Sequence, residues 1–179
     1  AEAHILPPGQ HGSRKMFSTE TALTQVVEEL AGAMEKGYVA ATFLADFSGA
    51  FDPLEHPKLV EKAGKRGMGP KAQQLLTSFL NNRKERVRMS TRRGEWRKVE
   101  CGVPQGSGLA PVLFSTYVAD MPEAITKAVV ISYVDDTTLV VVGPTVEACQ
   151  RELEEALREF VAYCYDNELA LAPEKCQLL

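Results

Sequence analysis

The feature that most constrains this chain is Tyr133-Val134-Asp135-Asp136, set between two runs of β-formers. Val129, Val130 and Ile131 precede it, and Thr137, Thr138, Leu139, Val140, Val141 and Val142 follow. The pattern predicts a hairpin whose tight turn carries two adjacent carboxylates. Two like charges side by side cost free energy unless a cation, a proton or solvent relieves them. An exposed turn relieves them by hydration, and for one such pair alone that is the simpler reading. Asp46 shifts the balance, because Tyr38 to Ala45 reads as a strand that delivers it at its end. Three carboxylates converging across a sheet suit two Mg²⁺ ions. Such ions sit roughly 3.5–4 Å apart and clamp an in-line phosphoryl displacement.

The rest of the chain supplies the layers around that hairpin. Ser18 or Thr19 is placed to cap a helix over 19–35, with Ala22, Leu23, Val26, Val27, Leu30 and Met34 as its core stripe and Gly37 as its stop. Residues 1–17 read as an extended, Pro/Gly-marked entry. Two short helices are expected from Pro57 to Arg66 and from Pro70 to Asn81, each with Pro in its first turn. Val87 to Met89 and Trp96 to Val99 suggest a hairpin around Arg93-Gly94, with Trp96 buried beneath it or else stacking a base. A Gly-rich loop, Cys101 to Gly108, opens a helix to about Ala124. Thr145 caps a long amphipathic helix ending near Asn167, whose core face includes Val146, Cys149, Leu153, Leu157, Phe160 and Val161. Strands interleaved with helices predict an α+β fold, an antiparallel sheet backed by helices.

At 179 residues the chain is long enough for one domain with a real core and too short for two large ones. No apolar run approaches the roughly 20 residues of a membrane span, so no membrane partner is expected. Ala1 to Gln10 lacks the basic-then-apolar order of a signal peptide. Cys101, Cys149, Cys164 and Cys176 form no close pair, and His4, His11 and His56 complete no zinc spacing. Reduced thiols and an intracellular compartment are expected. Cys101 reads as a small buried residue.

The net charge of −4 argues against a polyanionic partner, and its distribution argues for one. Residues 58–98 carry thirteen basic and three acidic side chains, between flanks with three basic against eight acidic and four basic against thirteen acidic. A basic block of this kind is the footprint of a surface that meets nucleic acid, or else a solvated charged face. On a hairpin, Arg83, Lys84, Arg86, Arg88, Arg92, Arg93, Arg97 and Lys98 would track a phosphate backbone without reading sequence.

Three segments in order carry a resemblance. They are Asp46 with Phe51 five residues on, Gly102-Val103-Pro104-Gln105-Gly106-Ser107 before a helix, and Tyr133-Val134-Asp135-Asp136. They resemble motifs A, B and C of a reverse transcriptase palm, most closely that of the non-LTR (LINE-like) retrotransposon family. Gln10-His11-Gly12-Ser13-Arg14 with Ser18 to Leu23 resembles that family's finger motif, although Ser13 stands where the family usually has Phe. Asp120-Met121-Pro122 resembles its Asp-Leu-Pro. Pro173-Glu174-Lys175 resembles motif D, with Ala172 where Asn is usual. The resemblance covers about residues 9–178.

The resemblance implies RNA-templated addition of deoxynucleotides to a DNA primer 3′ end, with two Mg²⁺ ions or Mn²⁺ as a substitute. It implies that Asp46 and Asp135 bridge the ions and Asp136 completes the cluster. Phe51 would be a steric gate against a 2′-hydroxyl, or plain core. Gln105 and Gly106 would meet the incoming nucleotide, Arg14 and Lys15 its triphosphate, and Lys175 would give a proton to pyrophosphate. Asp52 is expected to turn or cap the chain and not to bind metal. About 1–37 and 58–100 would be fingers-like, and about 38–57 and 101–179 palm, with the thumb absent. Two alternatives stand beside this reading: a thumbless, non-catalytic nucleic-acid-binding remnant, and a palm like that of RNA-dependent RNA polymerases.

Overall fold

The computed structural model describes residues 5–179. The first four residues of the expected extended entry, His4 among them, lie outside the described residues. The centre is a four-stranded antiparallel sheet in the order β6-β7-β1-β8. Its strands are β1 (Val39–Ala45), β6 (Val129–Tyr133), β7 (Asp136–Gly143) and β8 (Gln177–Leu178). Strand alternation sorts the side chains onto two faces. Phe43, paired with Leu139, points to one face and meets Phe160 of helix α6 (Val146–Asp166) at 6.1 Å between ring centroids. Leu44 and Ile131 point to the other face, toward helix α1 (Thr19–Glu35). A helix thus covers each face, and the expected α+β architecture is the observed one.

Helix α1 begins where its cap dictates. Ser18 Oγ accepts from the Thr21 amide at 3.3 Å, and Thr21 Oγ1 accepts from the Ser18 amide at 2.9 Å, closing a capping box. Gly37, at φ +68°, follows its end. Thr145 caps α6 in the same manner, through the Ala148 amide. Helices α2 (His56–Lys65) and α3 (Pro70–Leu80) carry Pro in their first turns and pack together on Leu59, Ala63, Leu76 and Leu80. Among the described residues, no helix is long and apolar enough to cross a membrane.

Several expectations are corrected. The helix after the Gly-rich loop breaks in two, α4 (Ala110–Tyr117) and α5 (Met121–Ala124). Pro122 has no amide to give the Val118 carbonyl, so the run cannot continue. The basic segment folds as β2 (Lys84–Glu85) with β5 (Arg97–Lys98), and β3 (Arg88–Met89) with β4 (Arg92–Arg93). Its turn lies at Ser90-Thr91, not Arg93-Gly94, because Ser90 takes the left-handed conformation at φ +53°. The Gly94 amide instead pairs with the Val87 carbonyl at 2.8 Å. Trp96 is 59% exposed rather than buried, with the Arg86 guanidinium 4.4 Å over its ring.

Leu23, Val27 and Met34 of the α1 stripe are exposed, and Ala33 is its only fully buried side chain. In α6, Val146 and Val161 face solvent, and the buried line is Cys149, Leu153, Ala156, Phe160, Tyr163 and Cys164. Cys101 is exposed, because its neighbour Gly102 takes the buried position. All four cysteines are free thiols.

Candidate active site

Pairing register brings the three carboxylates to one end of the sheet. Ala45 is opposite Thr137, so the next step of the same register sets Asp46 opposite Asp136. Tyr133 and Asp136 form the last rung of the β6-β7 hairpin, which leaves Val134 and Asp135 as its two-residue turn. Asp136 carries the electrostatic mark of the arrangement. Partial desolvation raises its pKa above the ordinary aspartate value, and the negative charges of Asp135 and Asp46 raise it further. Among the described residues, no three potential ligands are gathered tightly enough to hold a metal as they stand. The donor set nonetheless fits a hard divalent cation: three carboxylates whose mutual repulsion a cation would relieve.

The backbone after Asp46 is stitched to the C-terminal segment. The Ala172 amide donates to the Asp46 carbonyl at 2.9 Å, and Ser48 N–H to the Ala170 carbonyl at 2.8 Å. That pairing brings Lys175 across 129 residues of sequence, its Nζ 3.3 Å from Asp46 Oδ1. The expected motif D lysine therefore sits at the carboxylate cluster.

The Gly-rich loop is fastened to the turn after β1. Gly102 N–H donates to the Leu54 carbonyl at 2.8 Å, and Val103 N–H to that of Phe51 at 2.9 Å. Gly102 has φ +75°, and a Cβ there would lie 2.6 Å from the Asp52 carbonyl oxygen, so only glycine fits. Gln105 Nε2 donates to Asp52 Oδ1 at 2.7 Å, so Asp52 orients the glutamine while its own amide closes a turn onto Gly49. Gly106, at φ +81°, is exposed beside it. Phe51 is half-buried, its ring 5.4 Å from that of Phe114. Asp52, Arg83, Lys98 and Gln105 line one cleft.

The remaining basic candidates fall into two groups. Arg83 braces the loop, donating to the Gly102 carbonyl, to Cys101 O at 3.3 Å and to Leu80 O at 3.2 Å. Lys98 lies 3.2 Å from Glu100. Lys84, Arg86, Arg88, Arg92, Arg93 and Arg97 are exposed along the hairpin. Arg14 is committed elsewhere: its guanidinium donates to the carbonyls of Pro7, Pro8 and Gln10 and lies 4.1 Å over the Phe17 ring. Lys15 is exposed.

Sequence reasoning missed two sets of residues. One is a half-buried network around Lys62, whose Nζ donates to Asp120 Oδ1 (2.8 Å), Asn167 Oδ1 (2.7 Å) and the Tyr117 carbonyl (2.9 Å). Tyr163 Oη donates to the same Asp120 oxygen at 2.5 Å. The other is the contact of Gln10, named above only as part of the finger motif, with Val134, 124 residues away. The one available hint for the network was Asp120 in its Asp-Met-Pro setting. For Gln10 it was the glycines on either side, Gly9 and Gly12.

An antiparallel sheet with helices on both faces, carrying acidic residues at the end of one strand and at a neighbouring hairpin turn, defines a polymerase palm. The chain belongs to the reverse transcriptase (RNA-dependent DNA polymerase) family, whose profile matches residues 2–179, and to its non-LTR branch. It is 35% identical over 163 residues to the RNA-directed DNA polymerase from mobile element jockey of Drosophila funebris, covering 87% of this chain and 17% of that protein. It is 32% identical over 182 residues to the probable RNA-directed DNA polymerase from transposon BS of Drosophila melanogaster, covering 97% and 20%. The chain thus spans about a fifth of the length of these curated relatives. Among solved structures, telomerase from Candida albicans, in complex with a TWJ fragment of telomeric RNA, superposes with a TM-score of 0.69 at 12% identity. That match covers 100% of this chain and 32% of the telomerase and speaks to the fold.

Proposed function

We propose that the chain is the fingers-palm core of a non-LTR-type RNA-directed DNA polymerase, adding deoxynucleotides to a DNA primer 3′ end on an RNA template. The observation that carries this reading is the register that sets Asp46 beside the Asp135-Asp136 turn. Asp46, Asp135 and Asp136 would hold two Mg²⁺ ions, with Mn²⁺ as a substitute. When bound, such ions activate the primer 3′-hydroxyl and neutralise the pyrophosphate leaving group.

The chain's own residues do the positioning. Lys175, already at Asp46, is the proton donor to pyrophosphate in this reading. Gln105, oriented by Asp52, offers a neutral amide that donates and accepts toward the incoming nucleotide, and Gly106 keeps the loop clear there. Lys15 meets the triphosphate, as does Arg14 once its guanidinium exchanges carbonyls for phosphate oxygens, the stronger, charge-assisted partners. The exposed arginines and lysines of the hairpin hold template or primer phosphates. In this reading about 38–57 and 101–179 would be palm, and about 1–37 and 58–100 fingers-like. Four free thiols support an intracellular setting.

The test is primer extension on an RNA template with deoxynucleotides against ribonucleotides. Deoxynucleotides should be preferred. Phe51→Ala should raise relative ribonucleotide use about tenfold or more, because the ring is the bulk that meets the 2′-hydroxyl. Unchanged discrimination in Phe51→Ala would assign that ring to the core alone. A wild-type preference for ribonucleotides would favour the RNA-polymerase reading, and no extension at high protein concentration would favour the non-catalytic remnant.

A further inference from the structure

We propose that Gln10 is a positioning residue for the Val134-Asp135 turn, holding the backbone that presents the acidic pair. The proposal rests on the reading of Asp135 and Asp136 as metal carboxylates.

Val134 has φ +59° at the first position of a two-residue hairpin turn. That region is unfavourable for a β-branched side chain, and glycine is the usual choice there. Both backbone polar groups of Val134 are met by one side chain. Gln10 Oε1 accepts from the Val134 amide at 2.9 Å, and Gln10 Nε2 donates to the Val134 carbonyl at 3.3 Å. The same Oε1 accepts from Gly12 N–H at 2.8 Å, so the amide oxygen faces two donors and the nitrogen one acceptor. These three bonds fix the amide's orientation. Gln10 is 2% exposed and Val134 half-buried, so the bonds to the turn are partly shielded from water.

The Gln10 backbone is fixed as well. His11 N–H donates to the Ser132 carbonyl at 2.7 Å, and Ser132 N–H to that of Gly9 at 2.8 Å, so the segment runs alongside β6. No side chain fits at its flanks. A Cβ at Gly9 would lie 2.2 Å from the Val130 oxygen, and one at Gly12 would lie 2.5 Å from Val134 Cγ2. The chemistry calls for glutamine. Its neutral fork donates and accepts at once, whereas glutamate would lose the donor and bring a fourth negative charge to the cluster. The clamp thus offsets an unfavourable turn conformation next to the acidic pair. Removing it lets the turn relax and the carboxylates drift.

The test measures Mn²⁺ affinity by electron paramagnetic resonance and Val134 amide exchange in Gln10→Ala and Gln10→Glu, each alone and with Val134→Gly. In the Val134 background, Gln10→Ala should weaken Mn²⁺ about tenfold or more, the scale on which outer partners of metal sites act. It should also speed Val134 exchange relative to β1. In the Val134→Gly background the same substitution should cost at most about threefold, because glycine adopts the turn without the clamp. Gln10→Glu, which keeps the volume should the alanine variant fold poorly, should also weaken Mn²⁺. Equal losses in both backgrounds would assign Gln10 a general structural role. Unchanged affinity and exchange in Gln10→Ala and Gln10→Glu would overturn the proposal. If wild type binds no Mn²⁺, or Asp135→Asn leaves binding intact, the metal reading fails. Exchange at Val134 then decides the clamp by itself.

Discussion

Asp135→Asn should lower primer extension at least about a hundredfold and leave the fold intact. Even an outer partner of a metal site costs ten- to a hundredfold when removed, so a direct ligand should cost no less. The substitution keeps size and shape and removes one negative charge. Asp135 and Asp46 both press on Asp136 and raise its pKa, so relieving one of them removes repulsion in the metal-free protein. The unfolding midpoint without metal should therefore stay where it is or rise slightly. A loss of extension paired with a lowered midpoint would mean the turn fails to fold. Extension within about tenfold of wild type would mean that Asp135 is not a ligand in the reaction.

Lys62→Met should cost about 2–3 kcal/mol of stability. The ammonium sits where α2, the α4-α5 junction and α6 meet, with acceptors from Tyr117, Asp120 and Asn167 around it. Burial lowers the Lys62 pKa, and the Asp120 carboxylate works against that shift. Methionine fills the space and leaves these acceptors short of a donor. Breaking a fully buried pair costs about 3–5 kcal/mol. The Asp120 side chain is 39% exposed, so water takes up part of the loss and the lower figure follows. For a chain of this size that is a midpoint fall of roughly 5–10 °C. Urea unfolding with an unchanged slope would measure it, and a loss under about 1 kcal/mol would show that the network only decorates the helix junction.

How much of this was legible in the sequence depended on range. Ser18 and Thr145 marked their helices because a cap is a local bond, made within three residues. The run that ends at Asp46 and the hairpin that carries Asp135 showed because a β-rich run needs no partner to be recognised. Pro122 marked the break before Met121, but residues 109–119 are apolar except for Ser115 and Thr116, so periodicity gave no boundary there and favoured one continuous helix. Gly94 drew the expected turn to itself, but its amide was wanted by Val87, and Ser90 took the strained position. Sequence marks the apolar stripe of α1 without saying what covers it, and Leu23, Val27 and Met34 stay exposed. Contacts that close over 105 to 129 residues, from Lys62 to Asn167, Gln10 to Val134 and Lys175 to Asp46, leave no local pattern to read.

Everything proposed for this chain requires that the carboxylates gathered by the β1-β7 register form a divalent-cation site. Mn²⁺ titration followed by electron paramagnetic resonance, with Mg²⁺ as competitor, tests it without nucleic acid. Mn²⁺ should bind, Mg²⁺ should displace it, and Asp46→Asn and Asp135→Asn should each weaken binding at least about tenfold. Binding that neither substitution alters, or none at millimolar Mn²⁺, would contradict it.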